Sequence, residues 1–380
     1  MTERNANEFD RGQTQSWNPA MSGLACVRQI AKKDKQQSFT ALMHHLTLDL
    51  LRQSFYQLKR QAAKGVDGVS WYRYQEELEN RLLDLHSRIQ QDRYKPKPAR
   101  RVYIPKGNGE QRPLSIQCIE DKLVQQAVVT LLNEIYETDF KGFSYGFRPG
   151  RSQHDALDAL TYGICKKKVN WVLDLDIRQF FDTVEHDWLI RMIQHRVRDK
   201  RLIKLITRWI KVGVVDEGGA RRPTSCGLPQ GAVISPLLSN IYLHYAFDLW
   251  SHQWRKTRAK GEVLVVRYAD DAVLCFQDKW DANEYLARLH QRLNKFGLAV
   301  HPEKTRLIRF GRYAREQCVR RKEGKPESFD FLGFTHYCTK RRNGEFQVGR
   351  KTIRKRLVNQ ISAVQRELRR RMHEPVGLYP

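Results

Sequence analysis

Two adjacent aspartates lie between two apolar runs in the stretch Val263 to Phe276, VLVVRYADDAVLCF. Alternating β-branched and large apolar residues predict a β-hairpin with Ala269, Asp270 and Asp271 at its turn. Neighbouring anions between buried strands repel each other and lose hydration, so they stay ionised at low cost only when a cation binds them. Oxygen ligands with no Cys or His directly beside them favour Mg²⁺, with Mn²⁺ as a substitute. An isolated Asp-Asp pair is also typical of a plain polar turn.

A third carboxylate comes from the stretch NWVLDLDIRQFFDTVEHDWL. Residues 172–177 predict a strand, and its period of two places Asp174 and Asp176 on one face. An acid at the end of a buried strand can simply cap that strand, or it can complete a metal site with the aspartate pair. Catalysis by two metal ions holds them about 3.5–4 Å apart and needs carboxylates that bridge them.

Cations and a neutral amide occur in turns where they could meet a nucleotide. Lys106 and Arg112 flank the Gly-Asn-Gly turn of a second predicted hairpin, which would direct both cations at one point, as binding of a triphosphate requires. Gln230 lies in the tight loop CGLPQGA, whose glycines let the backbone approach a ligand closely.

Arg148 and Arg151 precede a predicted helix that begins after Ser152, in GFRPGRSQHDAL. Ser152 is a typical N-cap residue, and anions are favoured at a helix start. Two interpretations are therefore open for these arginines. They contact phosphates of a nucleic acid, or they only hold the loop in place.

Composition points to a polyanionic partner. The 380 residues include 68 Lys and Arg against 42 Asp and Glu, a formal net charge of +26, and nucleic acid is the commonest partner of so basic a chain. No apolar run approaches the roughly 20 residues of a membrane span, and the polar start carries no signal-peptide core, so we expect a bacterial cytoplasmic protein. The seven cysteines form no CxxC pair, which favours reduced thiols over zinc or disulfides.

The chain length allows two or three domains. Residues 1–37 are polar and end in a basic run, so we expect a mobile basic arm. Residues 38–345 alternate helices with short strands, and the run from Ile119 to Tyr136 predicts a strongly apolar helix. The predicted last helix begins at Lys351 and carries an apolar stripe surrounded by cations. The arm and four cations of this helix are the expected contacts with RNA: Lys351, Arg354, Lys355 and Arg356.

The order of these motifs resembles the reverse transcriptases of the group II intron maturase family over residues 38–380. The matching blocks are AAKGVDGVS, RPLSIQCIEDKLVQQAV, FSYGFRPGRSQHDAL, LDLDIRQFFDTV, CGLPQGAVISPLLSNIYL, YADD, HPEKT and FDFLGF. The resemblance implies an α+β right-hand polymerase, with fingers and an antiparallel palm sheet in residues 38–345 and a helical thumb from residue 346. It also implies two Mg²⁺ ions, dNTPs, an RNA template, a DNA primer and group II intron RNA.

The resemblance further implies the roles of individual residues. Metal ligands would be Asp176, Asp270 and Asp271 with the backbone carbonyl of Ile177, and Lys304 would donate a proton to the leaving pyrophosphate. The remaining positions concern the nucleotide: Lys106 and Arg112 would meet the triphosphate, Gln230 would line the pocket, and Phe181 would exclude a 2′-hydroxyl.

The departures from the family concern the C-terminus. No zinc-ligand cysteines of an HNH endonuclease follow and the thumb is short, which argues against target-strand cleavage by this chain. Two alternatives to a polymerase that serves intron splicing and retrohoming stay open. One is an RNA-binding maturase with little polymerase activity, which would have no need to gather anions in a basic chain. The other is a reverse transcriptase domesticated for defence or CRISPR adaptation, which would lack flanking intron RNA in its neighbouring DNA.

Overall fold

The computed structural model describes residues 19–105, 111–216, 218–222 and 224–372. The described helices are α1 (Pro19–Lys33), α2 (Leu48–Gln57), α3 (Trp71–Gln75), α4 (Leu78–Gln90), α5 (Ile119–Tyr136), α6 (Gln153–Lys166), α7 (Phe180–Thr183), α8 (His186–Gln194), α9 (Lys200–Lys211), α10 (Ser235–Leu243), α11 (Leu249–Thr257), α12 (Lys279–Asn294), α13 (Ala314–Arg320) and α14 (Arg354–Arg371). The described strands are β1 (Ala99–Pro105), β2 (Gln111–Ile116), β3 (Trp171–Asp176), β4 (Val214–Val215), β5 (Arg221–Arg222), β6 (Val263–Tyr268), β7 (Asp271–Phe276), β8 (Arg306–Arg309), β9 (Phe329–Phe331), β10 (Phe334–Lys340) and β11 (Phe346–Thr352).

The central sheet is antiparallel and runs in the order β6, β7, β3, β8. β7 is apolar at nearly every position because both of its faces are covered. Its side chains alternate between two cores: Leu274 and Phe276 pack into the larger core, whereas Val273 and Cys275 pack into the smaller one. The predicted hairpin is therefore present, with one correction. Its turn consists of Ala269 and Asp270 alone, since Asp271 already pairs within β7.

The larger core is mainly helical and contains α5, whose bounds match the apolar run in the sequence. Leu123, Val128 and Leu132 of α5 are fully buried because the helix is surrounded by other elements. The smaller core joins α6 to the opposite face of the central sheet and to the strands β9 to β11. Within the described ranges, no helix is both long and apolar enough to cross a bilayer.

A second sheet carries the basic hairpin. β1 and β2 pair in antiparallel register, and β4 joins β1 in parallel with β5 outside it. Arg112 lies opposite Ile104 near the turn of this hairpin. Lys106 and the Gly-Asn-Gly turn lie outside the described residues.

The expected mobile arm is wrong for its second half. Pro19 to Lys33 form α1, and Leu24, Val27 and Ala31 are buried in the larger core. Their spacing of three and four residues places all three on one face of the helix. The further apolar residues Ala25, Cys26 and Ile30 between them blur this stripe in the sequence. Residues 1–18 lie outside the described part of the chain.

The C-terminal part begins with a small antiparallel sheet in the order β11, β10, β9. Lys351 lies in β11 and not in the last helix, which corrects the prediction, and its ammonium is 5.7 Å from the ring centroid of Tyr337. α14 begins at Arg354 and buries none of its residues. Its apolar stripe is exposed, from 46% at Leu357 to 64% at Leu368.

Candidate active site

The predicted carboxylates meet at one end of the central sheet. Asp176, the last residue of β3, is the register partner of Asp271, the first residue of β7. Asp270 lies in the two-residue turn that precedes Asp271. Ala269, the other turn residue, has a φ of +56°, in the left-handed region that favours glycine. The pairing of the strands therefore brings together aspartates that are distant in sequence.

Burial and mutual repulsion act on these carboxyls together. The pKa of Asp271 is raised to about 6, chiefly by burial and further by the charges of Asp270 and Asp176, against the opposing Lys304. Asp271 is open to solvent on one side, yet protein surrounds the carboxyl closely enough for this effect. Burial also raises the pKa of Asp270, with Asp176 adding to it.

Asp174 is a further acid on the same face of β3. Its pKa is raised to about 7 by burial, against the opposing charge of Arg306, whose guanidinium lies 4.0 Å from its carboxylate. The charges of Asp271 and Asp176 raise the same pKa. The site is therefore an acidic cluster with incomplete compensation, within a chain of net charge +26.

The loop before β8 fixes the position of Asp176. The backbone amide of His301 donates to the Asp176 carbonyl at 2.8 Å, and Ile177 forms an antiparallel bridge with Val300. Nζ of Lys304 lies 3.2 Å from Oδ2 of Asp176. The structure thus brings the predicted proton donor to the carboxylates, where its ammonium supplies part of the missing positive charge.

The donor set of this cluster suits a hard divalent cation. Asp176, Asp270 and Asp271 lie at one edge of the sheet, and burial, with repulsion between neighbouring acids, raises the pKa of Asp270 and Asp271. A divalent ion would favour their ionised forms. Among the described residues, no three His, Cys, Asp or Glu side chains already converge as the ligand shell of a single ion. The carboxylate oxygens of Asp176, Asp270 and Asp271 fit such an ion in chemistry, and strand pairing places them at the same edge of the sheet.

One cavity brings the predicted gate residue Phe181 and the predicted pocket residue Gln230 together. Backbone hydrogen bonds hold the CGLPQGA loop against the segment that contains Phe181 and against β2. Leu228 donates its amide to the Phe181 carbonyl at 2.6 Å, and Ser115 of β2 donates its amide to the Gln230 carbonyl at 2.7 Å. Gly227 has a φ of +85°, and a Cβ there would lie 2.9 Å from the Phe181 carbonyl oxygen, so this position requires glycine.

Two further polar residues line this cavity and were missed from the sequence. Gln117 is only 3% exposed, and its Oε1 has no hydrogen-bond partner among the described residues. Arg101 of β1 lines the same cavity, and its Nε is likewise without a partner there. Their position at the base of the basic hairpin was the only signal in the sequence. Arg112 lies close enough to Asp270 to lower its pKa.

The two arginines near Ser152 have different surroundings in the structure. Arg148 is buried, pairs with Glu137 at 2.8 Å and donates to two loop carbonyls, which is the structural one of the two interpretations. It offers no guanidinium to a phosphate, so its predicted contact with nucleic acid is wrong in this arrangement. Arg151 donates to the Gly142 carbonyl at 2.7 Å but remains partly exposed. Ser152 caps α6 as predicted, in a capping box with Asp155.

A basic surface cavity of about 680 Å³ lies between α8 and α9 and was also missed. Asp199 between these helices accepts four backbone amide hydrogen bonds and is buried, so its charge faces the interior. The side chains that line the cavity are cationic or neutral. They are Arg191, Gln194, His195, Arg198, Lys200, Ile203 and Lys204.

Comparison with known proteins identifies the class to which this fold and site correspond. The family model described as reverse transcriptase (RNA-dependent DNA polymerase) matches residues 104–336, which include the carboxylate cluster, Phe181 and Gln230. The chain belongs to this family. Its mixed helices and sheets agree with the right-hand polymerase fold that membership implies. Such domains generally use divalent metal ions and act on nucleic acid.

Individual relatives narrow the similarity. The chain is 38% identical to protein YkfC of Escherichia coli (strain K12) over 55% of this chain and 62% of that protein. It is 34% identical to the group II intron-encoded protein LtrA of Lactococcus lactis subsp. cremoris over 60% of this chain and 38% of that protein. The mitochondrial nuclear intron maturase 4 of Arabidopsis thaliana is 27% identical over 38% of this chain and 17% of its own length. The resemblance to group II intron reverse transcriptases is thereby confirmed, although the chain spans less than two thirds of each of these relatives.

Proposed function

We propose that this chain is an RNA-directed DNA polymerase that extends a DNA primer on an RNA template and serves the splicing and retrohoming of a group II intron. One observation carries the proposal: Asp176 and Asp271 are register partners, Asp270 lies beside them, and the pKa values of Asp270 and Asp271 are raised. Gathering anions at a buried edge is costly unless cations bind there. A chain that only binds RNA gains nothing from that cost.

Asp176, Asp270 and Asp271 would hold two Mg²⁺ ions, for which Mn²⁺ can substitute, and the Ile177 carbonyl would add a ligand. When bound, the ions lower the pKa of the primer 3′-hydroxyl and neutralise charge on the leaving pyrophosphate. Lys304 lies beside Asp176. A metal ion there would compete with its ammonium for the carboxylate, and Lys304 would then serve as the proton donor to the pyrophosphate.

The incoming dNTP would occupy the cavity between the basic hairpin and the CGLPQGA loop. Phe181 and Gln230 line this cavity, and the ring of Phe181 would exclude a 2′-hydroxyl by its bulk. Arg112 would meet the triphosphate as an always-charged donor. Lys106 is proposed for the same role from the sequence alone.

RNA would bind to the cations outside the acidic edge. Arg354, Lys355 and Arg356 lie on the exposed first turn of α14. Lys351, in the preceding strand β11, and Arg151, just before α6, add positive charge. The basic cavity between α8 and α9 supplies further positive charge. These contacts are electrostatic, so RNA affinity would fall steeply with salt concentration.

Primer extension tests the proposal. The purified chain should extend a DNA primer annealed to an RNA template with dNTPs and Mg²⁺. Asp270→Asn should reduce the rate by about a thousandfold or more, since it removes several kcal/mol of metal charge stabilisation and each 1.36 kcal/mol is tenfold. RNA affinity should remain nearly unchanged, because the substitution is nearly isosteric and removes a metal ligand's charge without removing a cation that contacts phosphate. Normal extension by this variant would overturn the proposed site.

A maturase with little polymerase activity is the second candidate, because one relative is named an intron maturase and another a group II intron-encoded protein. In that case the wild-type chain would bind intron RNA tightly and promote its splicing, yet extend no primer. Splicing that is unaffected by Asp270→Asn, together with absent extension, would favour this candidate over the polymerase.

A further inference from the structure

A single arginine interrupts the apolar strand that leads to the aspartate pair. Arg267 is 1% exposed, and its guanidinium donates five hydrogen bonds. Nε and Nη2 bind the two carboxylate oxygens of Asp248 at 2.7 and 2.6 Å, and Nη2 also donates to Oγ of Ser144 at 2.7 Å. Nη1 donates to Oδ1 of Asn240 at 3.2 Å and to the backbone carbonyl of Ala269 at 2.8 Å.

These bonds use the complete donor capacity of the side chain. A guanidinium has five N–H donors in a fixed planar arrangement, whereas a lysine ammonium has three that rotate freely. Only arginine can therefore bind the Asp248 carboxylate with two parallel bonds and still reach Ala269 and both other partners. The site requires the shape of arginine in addition to its charge.

The bond to the Ala269 carbonyl fixes the catalytic turn from inside the protein. Ala269 has a left-handed φ of +56°, a conformation that surrounding structure must maintain in a residue with a side chain. The opposite side of the turn is also closely packed, since a Cβ at Gly146 would lie 2.4 Å from the Ala269 nitrogen. Asn240, itself bound to Arg267, donates to the Gly146 carbonyl at 2.8 Å. The arginine and its partners thus define the space that the turn occupies.

Stability alone does not account for this cluster. A buried ion pair must offset the loss of hydration of both charges, and replacing such a pair by apolar residues is often neutral or stabilising. Asp248 is 0% exposed and lies at the end of a π-helical segment, His244–Asp248, between α10 and α11. π-helical segments are rare and frequently occur at functional sites.

We propose that Arg267 is a positioning residue for the nucleotidyl-transfer reaction, acting through the Ala269 carbonyl to hold Asp270 and Asp271 where metal ions bind. This inference rests on the proposed function. Arg267 touches neither substrate nor metal in this role. Asp248, Asn240 and Ser144 hold the guanidinium, and the guanidinium holds the turn.

The test compares Arg267→Lys with a matched control, Arg196→Lys. Arg196 is 2% exposed, pairs with Asp139 and donates to the carbonyls of Asp34 and Ala31, so it is equally buried but makes no contact with the turn. Four quantities are measured for each full-length variant: the thermal unfolding temperature, the affinity for Mn²⁺ by electron paramagnetic resonance, and both kcat and KM for dNTP in primer extension.

Both variants should unfold at similarly lowered temperatures. Arg267→Lys alone should weaken Mn²⁺ binding by about ten- to a hundredfold, as is typical of residues that orient metal ligands. It should also lower kcat by a similar factor with KM for dNTP nearly unchanged. Equal Mn²⁺ affinity in the folded wild type and the folded Arg267→Lys variant would overturn the proposal, because a merely structural role does not alter metal binding.

A milder variant covers the case in which Arg267→Lys does not fold. Ser144→Ala removes one acceptor from Nη2 and leaves both charges paired, so it should fold and weaken Mn²⁺ binding severalfold. An unchanged Mn²⁺ affinity in this variant would likewise overturn the proposal. Mn²⁺ binding is measured without primer or template. If the wild type binds Mn²⁺ but extends no primer, the proposed function fails while the role of Arg267 in the metal site is still decided.

Discussion

The carboxylate edge of the central sheet and the helix α14 differ in how the chain surrounds them. At the edge, β3 and β7 are covered on both faces, and the acids are surrounded by protein. α14 has no buried residue, and its charges and apolar stripe both face outward. Protein therefore surrounds the acids of the edge closely enough to raise the pKa of Asp270 and Asp271, whereas the cations of α14 face solvent. The comparison separates a site whose geometry is determined by the chain itself from a surface available to a partner.

After the loss of activity expected for Asp270→Asn, the next largest effect is expected within the nucleotide cavity. Phe181→Ala should open the space beneath the sugar and change the ratio of rNTP to dNTP use by about ten- to a hundredfold, the range expected when a pocket loses a steric contact. RNA affinity should not change. Steady-state incorporation of single rNTPs and dNTPs measures the ratio. Phe181→Tyr, which keeps the ring, should preserve discrimination, and an unchanged ratio in Phe181→Ala would move the gate to another residue.

RNA affinity, in contrast, is expected to depend on the cations of α14. Replacing Arg354, Lys355 and Arg356 by Gln should weaken RNA binding and lower the slope of log affinity against log salt by about two, because each phosphate contact to a single strand contributes roughly 0.7. The rate constant for incorporation on bound primer-template should remain unchanged. Fluorescence anisotropy over a series of salt concentrations gives the slope.

A charge-matched control accompanies that experiment. Arg73, Lys166 and Arg315 are exposed and distant in sequence from α14. Their replacement by Gln lowers the net charge equally. If both triple variants lose the same slope, RNA responds to the overall charge of the chain and not to α14.

A smaller effect is expected on the free energy of unfolding, which should depend on pH because of the acids at the edge of the sheet. The pKa values of Asp271 and Asp174 are raised from 3.8 to about 6 and about 7, so between these limits the folded state binds more protons than the unfolded state. The free energy of unfolding of the metal-free chain should therefore fall as pH rises through this window. Mg²⁺ binds the ionised carboxylates, so it should raise the unfolding temperature more at about pH 8 than at about pH 5.

Thermal unfolding in EDTA and in Mg²⁺ measures both effects. In Asp271→Asn the stabilisation by Mg²⁺ should be smaller, and the decline with pH should be shallower. A pH dependence identical to that of the wild type would show that Asp271 does not contribute to it.

The smallest effect concerns the apolar stripe of α14. Leu357, Ile361 and Leu368 are 46–64% exposed, and contiguous apolar surface of this kind promotes association. We expect weak self-association at high protein concentration, which Ile361→Glu should reduce without altering the unfolding temperature. Sedimentation velocity at several concentrations provides the measurement. A monomer at all concentrations would show that the stripe does not promote self-association.

The sequence predicts those parts of the fold that depend on local pattern. The apolar run of α5 predicts that helix with its correct bounds, and the hairpin of β6 and β7 is predicted because both strands are apolar on each face. The cap at Ser152 follows from the known preference for serine at that position. The proximity of Asp176 to the aspartate pair comes from strand pairing that motif order can suggest but not establish.

The errors have a common physical origin in partners that are distant along the chain. Arg148 is structural because Glu137, eleven residues before it, forms an ion pair with its buried guanidinium. Arg267 needs Asp248 and Ser144, which come from a π-helical segment and from a loop more than a hundred residues earlier. Single-residue types and short spacings carry no information about such pairs.

The π-helical segment His244–Asp248 also constrains how the chain can vary in length. Its backbone hydrogen bonds run from residue i to i+5, so each of its turns holds one residue more than the turns of α10 and α11 on either side. Asn240 and Asp248 both bind Arg267, so these contacts depend on the number of residues between the two as well as on their types, and a deletion there would act on a turn that lies elsewhere in the sequence.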